Sequence, residues 1–463
     1  MNRHRFFLPF CFGLFFIIHL AFFNFIQAQT LTLDSCLALA RRNNADIRIS
    51  QLDVEKARAV KSQAFTHYFP QLQLNSMGYV AARPMISFAL EDIRSNDMRS
   101  LLEAIYNVFS EETDVTDRLE LMKHGFSVSV IATQPVFAGG RIVNGNRLAA
   151  LGEEAAVLQS KIKMRDVLED VEATYYLVVG LKEKEAAVEA AMTLIDSLEH
   201  VAESALANGL VTRADILQIS LKRNEINAKR QQLASGIRMS RQLLCTQIGI
   251  AYTDDIDFGG DNLLKMSPAE IDLNNGKLSP KENYRPESRL LQINEESQEL
   301  FKKMAIGETL PQLAILGIGY YGNAVRNDAS ANAVAGLSLS VPLTDWWNTS
   351  HKIREHNIRI EQARVAKEQY GKLMSLEEEK AYNDMVDAYM LIRSDSAALQ
   401  LARENYRLAE INYSAGVATV SDVLQAHALL LQAENAVTDR RVTYLAARRR
   451  LTDLRGDLNS LTR

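Results

Sequence analysis

The chain has 463 residues, 47% hydrophobic and 24% charged, with a formal net charge of −5. That length could hold several ordinary domains, and the acidic balance speaks against a nucleic-acid partner, which would need a basic face. Three cysteines are too few for a disulfide scaffold.

The chain begins with Arg3 and Arg5 ahead of an apolar run from Phe6 to Ile26, and Ala28 suits a cleavage point. Residues 1–28 therefore read as a secretory signal peptide, with a permanent membrane anchor as the rival. Cys11 follows Phe10, not the small residue a lipoprotein site requires. Loss of both signal arginines takes the net charge to −7. Cys36 and Cys245 then remain, in helical patterns far apart, with room for one bridge at most. No later segment has about 18 consecutive apolar residues, so any membrane role needs strands.

A first repeat is expected over 29–250. Apolar spacing is helical from Thr32 to Phe65, with a break at Asn43-Asn44 and a restart near Asp46. After Pro70, residues Gln71 to Val80 alternate, as do Phe126 to Val130, where Phe126, Val128 and Val130 oppose Ser127 and Ser129. Period two predicts strands. Apolar against small polar suits a barrel wall between lipid and water, and equally a half-buried sheet of a soluble protein. Residues 82–123, charged and mostly acidic, read as an insertion in this hairpin: a surface loop with a short helix over Arg99 to Phe109. No proline occurs between Pro135 and Pro268 or after Pro342, and these intervals hold the strongest helical periodicity. A long helix is expected over 140–207 and a return helix over 212–248.

Residues 251–284, rich in Asp, Asn, Gly and Pro, read as a linker along the outside. A second repeat is expected over 285–457: a helix from Pro286 to Gly307, a strand hairpin over 312–343, a long helix over 347–414 and a return helix over 419–455. Residues 458–463 form a tail. Each long helix would span about 100 Å, more than an ordinary soluble domain encloses. In the last helix Val423, Leu430, Val437, Tyr444 and Leu451 recur every seven residues, a coiled-coil seam.

The sharpest motif occurs twice. Leu206-Ala-Asn-Gly-Leu-Val-Thr-Arg-Ala-Asp215 and Tyr413-Ser-Ala-Gly-Val-Ala-Thr-Val-Ser-Asp422 lie 207 residues apart and share Gly-x-x-Thr-x-x-Asp. Gly209 and Gly416 can take positive φ and stop a helix. Thr212 with Asp215, and Thr419 with Asp422, match helix caps of the capping-box type that restart the chain in the reverse direction. Each stretch is the tip of a helical hairpin, and the pair indicates an internal duplication. The histidines are scattered, with His351 and His356 reading as solvated residues of one helix. No catalytic group, metal site, phosphate loop or cofactor site emerges, so neither an enzyme nor a cofactor is expected.

Several motifs together resemble the TolC-like outer membrane efflux proteins. They are Leu31-Thr-Leu-Asp-Ser-Cys-Leu-Ala-Leu-Ala-Arg-Arg-Asn-Asn, Tyr68-Phe-Pro-Gln-Leu, Thr309-Leu-Pro-Gln-Leu, Pro135-Val-Phe-Ala-Gly-Gly-Arg and the Tyr413 tip followed by Asp422-Val-Leu-Gln-Ala. The resemblance covers Leu31 to about Asp457. It implies a mainly α fold with a small β part: a homotrimer, four strands per protomer in a shared twelve-stranded outer-membrane β-barrel, and helices forming a periplasmic α-barrel tunnel.

The implied function is a passive exit duct of a tripartite efflux or secretion system in a Gram-negative-type cell. It would contact outer-membrane lipid, a periplasmic adaptor (membrane fusion protein) and an inner-membrane pump. By the same resemblance Gly209, Leu210, Val211, Gly416, Val417 and Ala418 are candidate adaptor contacts. Asp422 matches an acidic aperture ring, and Asp215 and Tyr413 match a closed-state polar network. Ala418 stands where the family pattern has a pairing Arg, and Gln425 where it has a second ring Asp. Apolar packing could then replace charge pairing in the closed state. For Asp215 and Asp422, helix capping alone is the plain alternative. A secreted or periplasmic coiled-coil interaction protein without a pore is the competing reading of the whole chain.

Overall fold

A computed structural model describes residues 30–83, 86–89, 100, 118–121, 124–259, 285–323 and 329–455. The expected signal peptide, the Arg99–Phe109 helix apart from Ser100, most of the linker and the tail lie outside these residues. In chain order the elements are β1 (Thr30–Leu31), α1 (Leu33–Asn43), α2 (Ala45–Thr66), β2 (Gln71–Val80), β3 (Ile86–Ala89), β4 (Arg118–Leu121) and β5 (His124–Ala138). Then follow α3 (Arg141–Ala207), α4 (Arg213–Gln247), β6 (Asp257–Phe258), α5 (Pro286–Glu308), β7 (Gln312–Gly322), β8 (Ser330–Ser340), α6 (Asp345–Ser414) and α7 (Val420–Leu454). The fold is mainly helical with a small antiparallel sheet. Helices α4 and α7 have 35 residues each and stand 207 positions apart at both ends.

The chain divides into two compact units. One comprises Met1–Glu55, Ala155–Gln292 and Val365–Arg463, the other Lys56–Glu154 and Ile293–Arg364.

The second unit holds the sheet β2-β5-β7-β8, antiparallel throughout. Register defines its faces, because successive side chains alternate. One face carries Leu72, Leu74, Phe126, Val128, Val130, Leu313, Ile315, Tyr321, Leu337 and Leu339, with alanines, glycines and the polar Ser76, His124 and Gln134 among them. The opposite face carries Gln71, Gln73, Asn75, Ser127, Ser129, Thr133, Asn332 and Ser338 among its polar residues. Among the described residues the outer strands β2 and β8 each pair on one side only.

Strand β5 runs past Pro135, well beyond the alternation that ended at Val130, and a bulge lies between Pro135 and Phe137. Proline has no N–H to give the ladder and is tolerated where a bulge interrupts it. Strand β8 starts at Ser330, earlier than the alternation at Ala335 indicated. In the insertion, β3 and β4 pair as an antiparallel ladder. His356, read as solvated, is half-buried with its Nδ1 unpaired.

The first unit holds two apolar cores. The larger joins Cys36 and Ala40 of α1, Leu168, Tyr175 and Val178 of α3, Leu244 and Cys245 of α4, Ile392 of α6 and Leu445 of α7. Both cysteines are buried. Phe258 of β6 belongs to this core and is fully buried, so the start of the linker is built into the body. Its strand pairs in parallel with β1, Thr30 opposite Asp257 and Leu31 opposite Phe258. Lys182 Nζ donates to both Asp257 carboxylate oxygens, at 2.8 and 2.9 Å, and to the Phe258 carbonyl at 2.9 Å. Of the seam in α7, Val423, Val437, Tyr444 and Leu451 are buried and Leu430 is half-buried beside buried Leu431. A straight helix turns every 3.6 residues, so a seven-residue spacing drifts around it.

Candidate functional site: the paired hairpin tips

The smaller core lies at the two tips. Val188, Ala191, Ile195 and Ala202 of α3 meet Ile216, Ile219 and Ile226 of α4 and Val420 and Leu431 of α7, with Leu206, Tyr413 and Leu424 packed against them. Beside this core each long helix ends by the same device. Gly209 has φ +73° and Gly416 φ +72°. Leu210 N–H donates to the Ala205 carbonyl at 2.9 Å and Gly209 N–H to Leu206 at 3.0 Å. Val417 and Gly416 repeat this on Asn412 and Tyr413, at 2.8 and 3.0 Å. This is the Schellman closure, in which the positive-φ residue turns the chain while the last carbonyls keep partners.

Two residues on, each return helix is capped identically. Thr212 N–H and Oγ1 donate to Asp215 Oδ2 at 2.8 and 2.7 Å, and Asp215 N–H donates back to Thr212 Oγ1 at 3.3 Å. Thr419 and Asp422 reproduce all three distances. These bonds hold both carboxyls below the usual carboxylate range, the backbone donor contributing most. Both aspartates are thus anionic caps at helix N-termini, where negative charge is favoured.

The apex residues differ in exposure. Leu210 and Val417, at matching positions, are each 79% exposed. Val211 and Ala418 are half-buried. An aliphatic side chain held out by a rigid turn is a surface for a partner to cover. Asp422 and Gln425 are exposed on the first turns of α7. Gln218, the counterpart of Gln425 in α4, is exposed as well; the 207-residue offset alone would have found it.

Asp215 and Tyr413 come together. Burial raises the Tyr413 phenol first, and the Asp215 carboxylate beside it raises it further. The hydroxyl is buried without a hydrogen-bond partner, while Asp215 is engaged by Thr212. Within one chain, therefore, Tyr413 and Asp215 are neighbours but not bonded.

One buried group was not foreseen. His427 is 4% exposed, its ring 5.6 Å from that of Tyr406, and its Nδ1 has no partner. Burial holds its imidazole below the ordinary value, and Lys222 adds to the effect. Its place four residues after Val423, on the apolar side of α7, was the available signal.

Among the described residues no cluster of His, Cys, Asp and Glu could hold a metal ion, and no helix is long and apolar enough to cross a membrane.

Residues 307–457 match the sequence model of the outer membrane efflux protein family. No curated protein matches. Among solved structures, the Campylobacter jejuni outer membrane channel CmeC superposes with a TM-score of 0.74 at 15% identity, covering 92% of this chain and 85% of that one. The open state of the Neisseria gonorrhoeae channel MtrE gives 0.70 at 16% identity, covering 92% and 88%. The Vibrio cholerae outer membrane protein VceC gives 0.69 at 14% identity, covering 92% and 96%. At such identities the likeness is one of fold. Residues 307–457 thus carry the sequence pattern of the outer membrane efflux protein family, and 92% of the chain shares its fold with solved outer membrane channels.

Proposed function

We propose that this chain is one protomer of an outer-membrane efflux duct, a passive homotrimeric tunnel that docks a periplasmic adaptor and an inner-membrane pump. The observation that carries the reading is the sheet β2-β5-β7-β8. One of its faces is largely apolar, the other carries most of the amides and hydroxyls, and among the described residues its outer strands each pair on one side only. Lipid cannot satisfy open strand edges, so such a sheet in a membrane must be closed by further copies. Helix α6 supports the need for company: Leu376 and Leu401 are 60% and 73% exposed, with Leu373, Leu408 and Ile411 also in the open. A coiled-coil protein without a pore has no use for the two-faced sheet.

The tips are the proposed docking and gating elements. Leu210 and Val417 at the apices, with Gly209, Val211, Gly416 and Ala418, would meet the adaptor. Asp422 and Gln425 would face the aperture, with Asp215 and Tyr413 behind them. The test is membrane fractionation followed by unheated and heated gels of the outer-membrane fraction. The duct predicts a detergent-extracted species near three protomers that falls to one on heating. Recovery from soluble periplasm or medium would overturn it.

A further inference from the structure

The polar face of the sheet is interrupted. Register aligns Gln73 with Ile131, Ile131 with Ile318 and Ile318 with Val334, so three aliphatic side chains stand side by side across β5, β7 and β8. Leu316 lies on the same face in the next row, opposite Thr133 and Gly336. On the other side the neighbouring row is Asn75, Ser129, Tyr320 and Asn332. Ile318 and Val334 are 39% and 61% exposed. The stripe is therefore about 10 Å long and one or two residues wide, with Gln73 at its β2 end and Asn75, Ser129, Tyr320 and Asn332 along one side.

A soluble sheet would bury such a stripe, and a lipid-facing one would not fence it with Asn, Ser and Gln. It is also too small for a protein interface, which needs several hundred Å² on each side. What fits is a small solute with an apolar portion. Along the described strands this face carries no Lys, Arg, Asp or Glu, so it repels neither sign of charge. The Tyr320 ring beside the stripe favours a cation.

We propose that Ile131, Ile318 and Val334, with Leu316 and Tyr320, form a contact site for the apolar part of amphiphilic cations leaving through the duct. This rests on the polar face being the pore wall. Strands of a closed barrel are tilted by about 35–45°, so each copy's row runs obliquely, and three copies line the lumen with three slanted stripes rather than one ring. Water can pass between them while an amphiphile moves along them.

The experiment measures block of the purified protein in a planar bilayer by tetraphenylphosphonium and by tetramethylammonium, which carry the same charge and differ in apolar surface. Tetraphenylphosphonium should reduce the wild-type current at concentrations where tetramethylammonium does not. Ile318→Ser with Val334→Ser should weaken that block about tenfold in a pore that still conducts. Ser129→Leu, which widens the stripe on the same face, should strengthen the block; it keeps the test open should the double variant fail to assemble. Unaltered tetraphenylphosphonium block in a conducting variant overturns the site while leaving the duct intact. A wild-type protein that forms no pore overturns the duct, and the site with it.

Discussion

Gly139 and Gly307 meet backbone to backbone, so closely that a Cβ on either would collide with the other's carbonyl oxygen. Gly139 also has φ +62° at the turn from β5 into α3. Gly139→Ala combines a steric clash with backbone strain and should cost roughly 2–5 kcal/mol. Thermal unfolding checks this, with Gly152→Ala as the control. A Cβ on Gly152 meets nothing within 4 Å in mid-helix, so that change should stabilise by about 0.5–1 kcal/mol.

At Gly416 a Cβ also meets nothing within 4 Å, and only the φ of +72° resists a side chain. Gly416→Val should therefore reshape the tip without disturbing a core. Export by cells is expected to stop while the heat-sensitive trimer persists on gels; continued export would remove the tip from the docking proposal.

Asp422 is predicted to give the aperture a cation preference. Its carboxyl is held below the usual range by Thr419, so charge and capping are present above the ordinary value of about 4 and are lost only as pH falls through the lower folded value. Asp422→Ala should shift ion selectivity in bilayers at neutral pH. Selectivity that stays put would leave the residue as a cap alone.

His427 has the same sign of pH dependence in a higher window. Burial and Lys222 depress its imidazole, so the fold favours the neutral form. Stability is fully present above the unfolded value of about 6.5 and is lost as pH falls below it toward the folded value. The unfolding midpoint should drop between pH 7.5 and 5.5 in the wild type, and His427→Leu should flatten that slope.

Arg449 bridges Glu172 at 3.3 Å and Asp453 at 2.9 Å, all three side chains being largely buried. The Tyr176 hydroxyl donates to the same Glu172 at 2.7 Å. Arg449→Ala leaves two enclosed carboxylates without their cation and should cost about 3–5 kcal/mol in chemical denaturation. Adding Glu172→Gln should recover part of it.

Features set by neighbouring residues were legible in the sequence. The Gly209 and Gly416 turns, with their Thr-Asp caps, are closed by hydrogen bonds spanning three to five residues, and the motif names every partner. The long helices announced themselves by apolar periodicity and missing prolines. Strand ends were harder. The run Ser330-Ala-Asn-Ala-Val-Ala offers little contrast between faces, and the continuation of β5 through Pro135 depends on a bulge, which cannot be seen in one strand alone. Tyr413 beside Asp215 and the aliphatic row on the polar face are tertiary, fixed by which elements pair and in what register, and no local pattern encodes them.

The short ladder between Thr30–Leu31 and Asp257–Phe258 bears on the order of assembly. One partner stands at the head of the described chain, and the other arrives only after α1 through α4 have been made. A chain made N-terminus first therefore has no strand for Leu31 to pair with until Phe258 is made, and the core that buries Phe258 is complete only once Ile392 of α6 and Leu445 of α7 have followed.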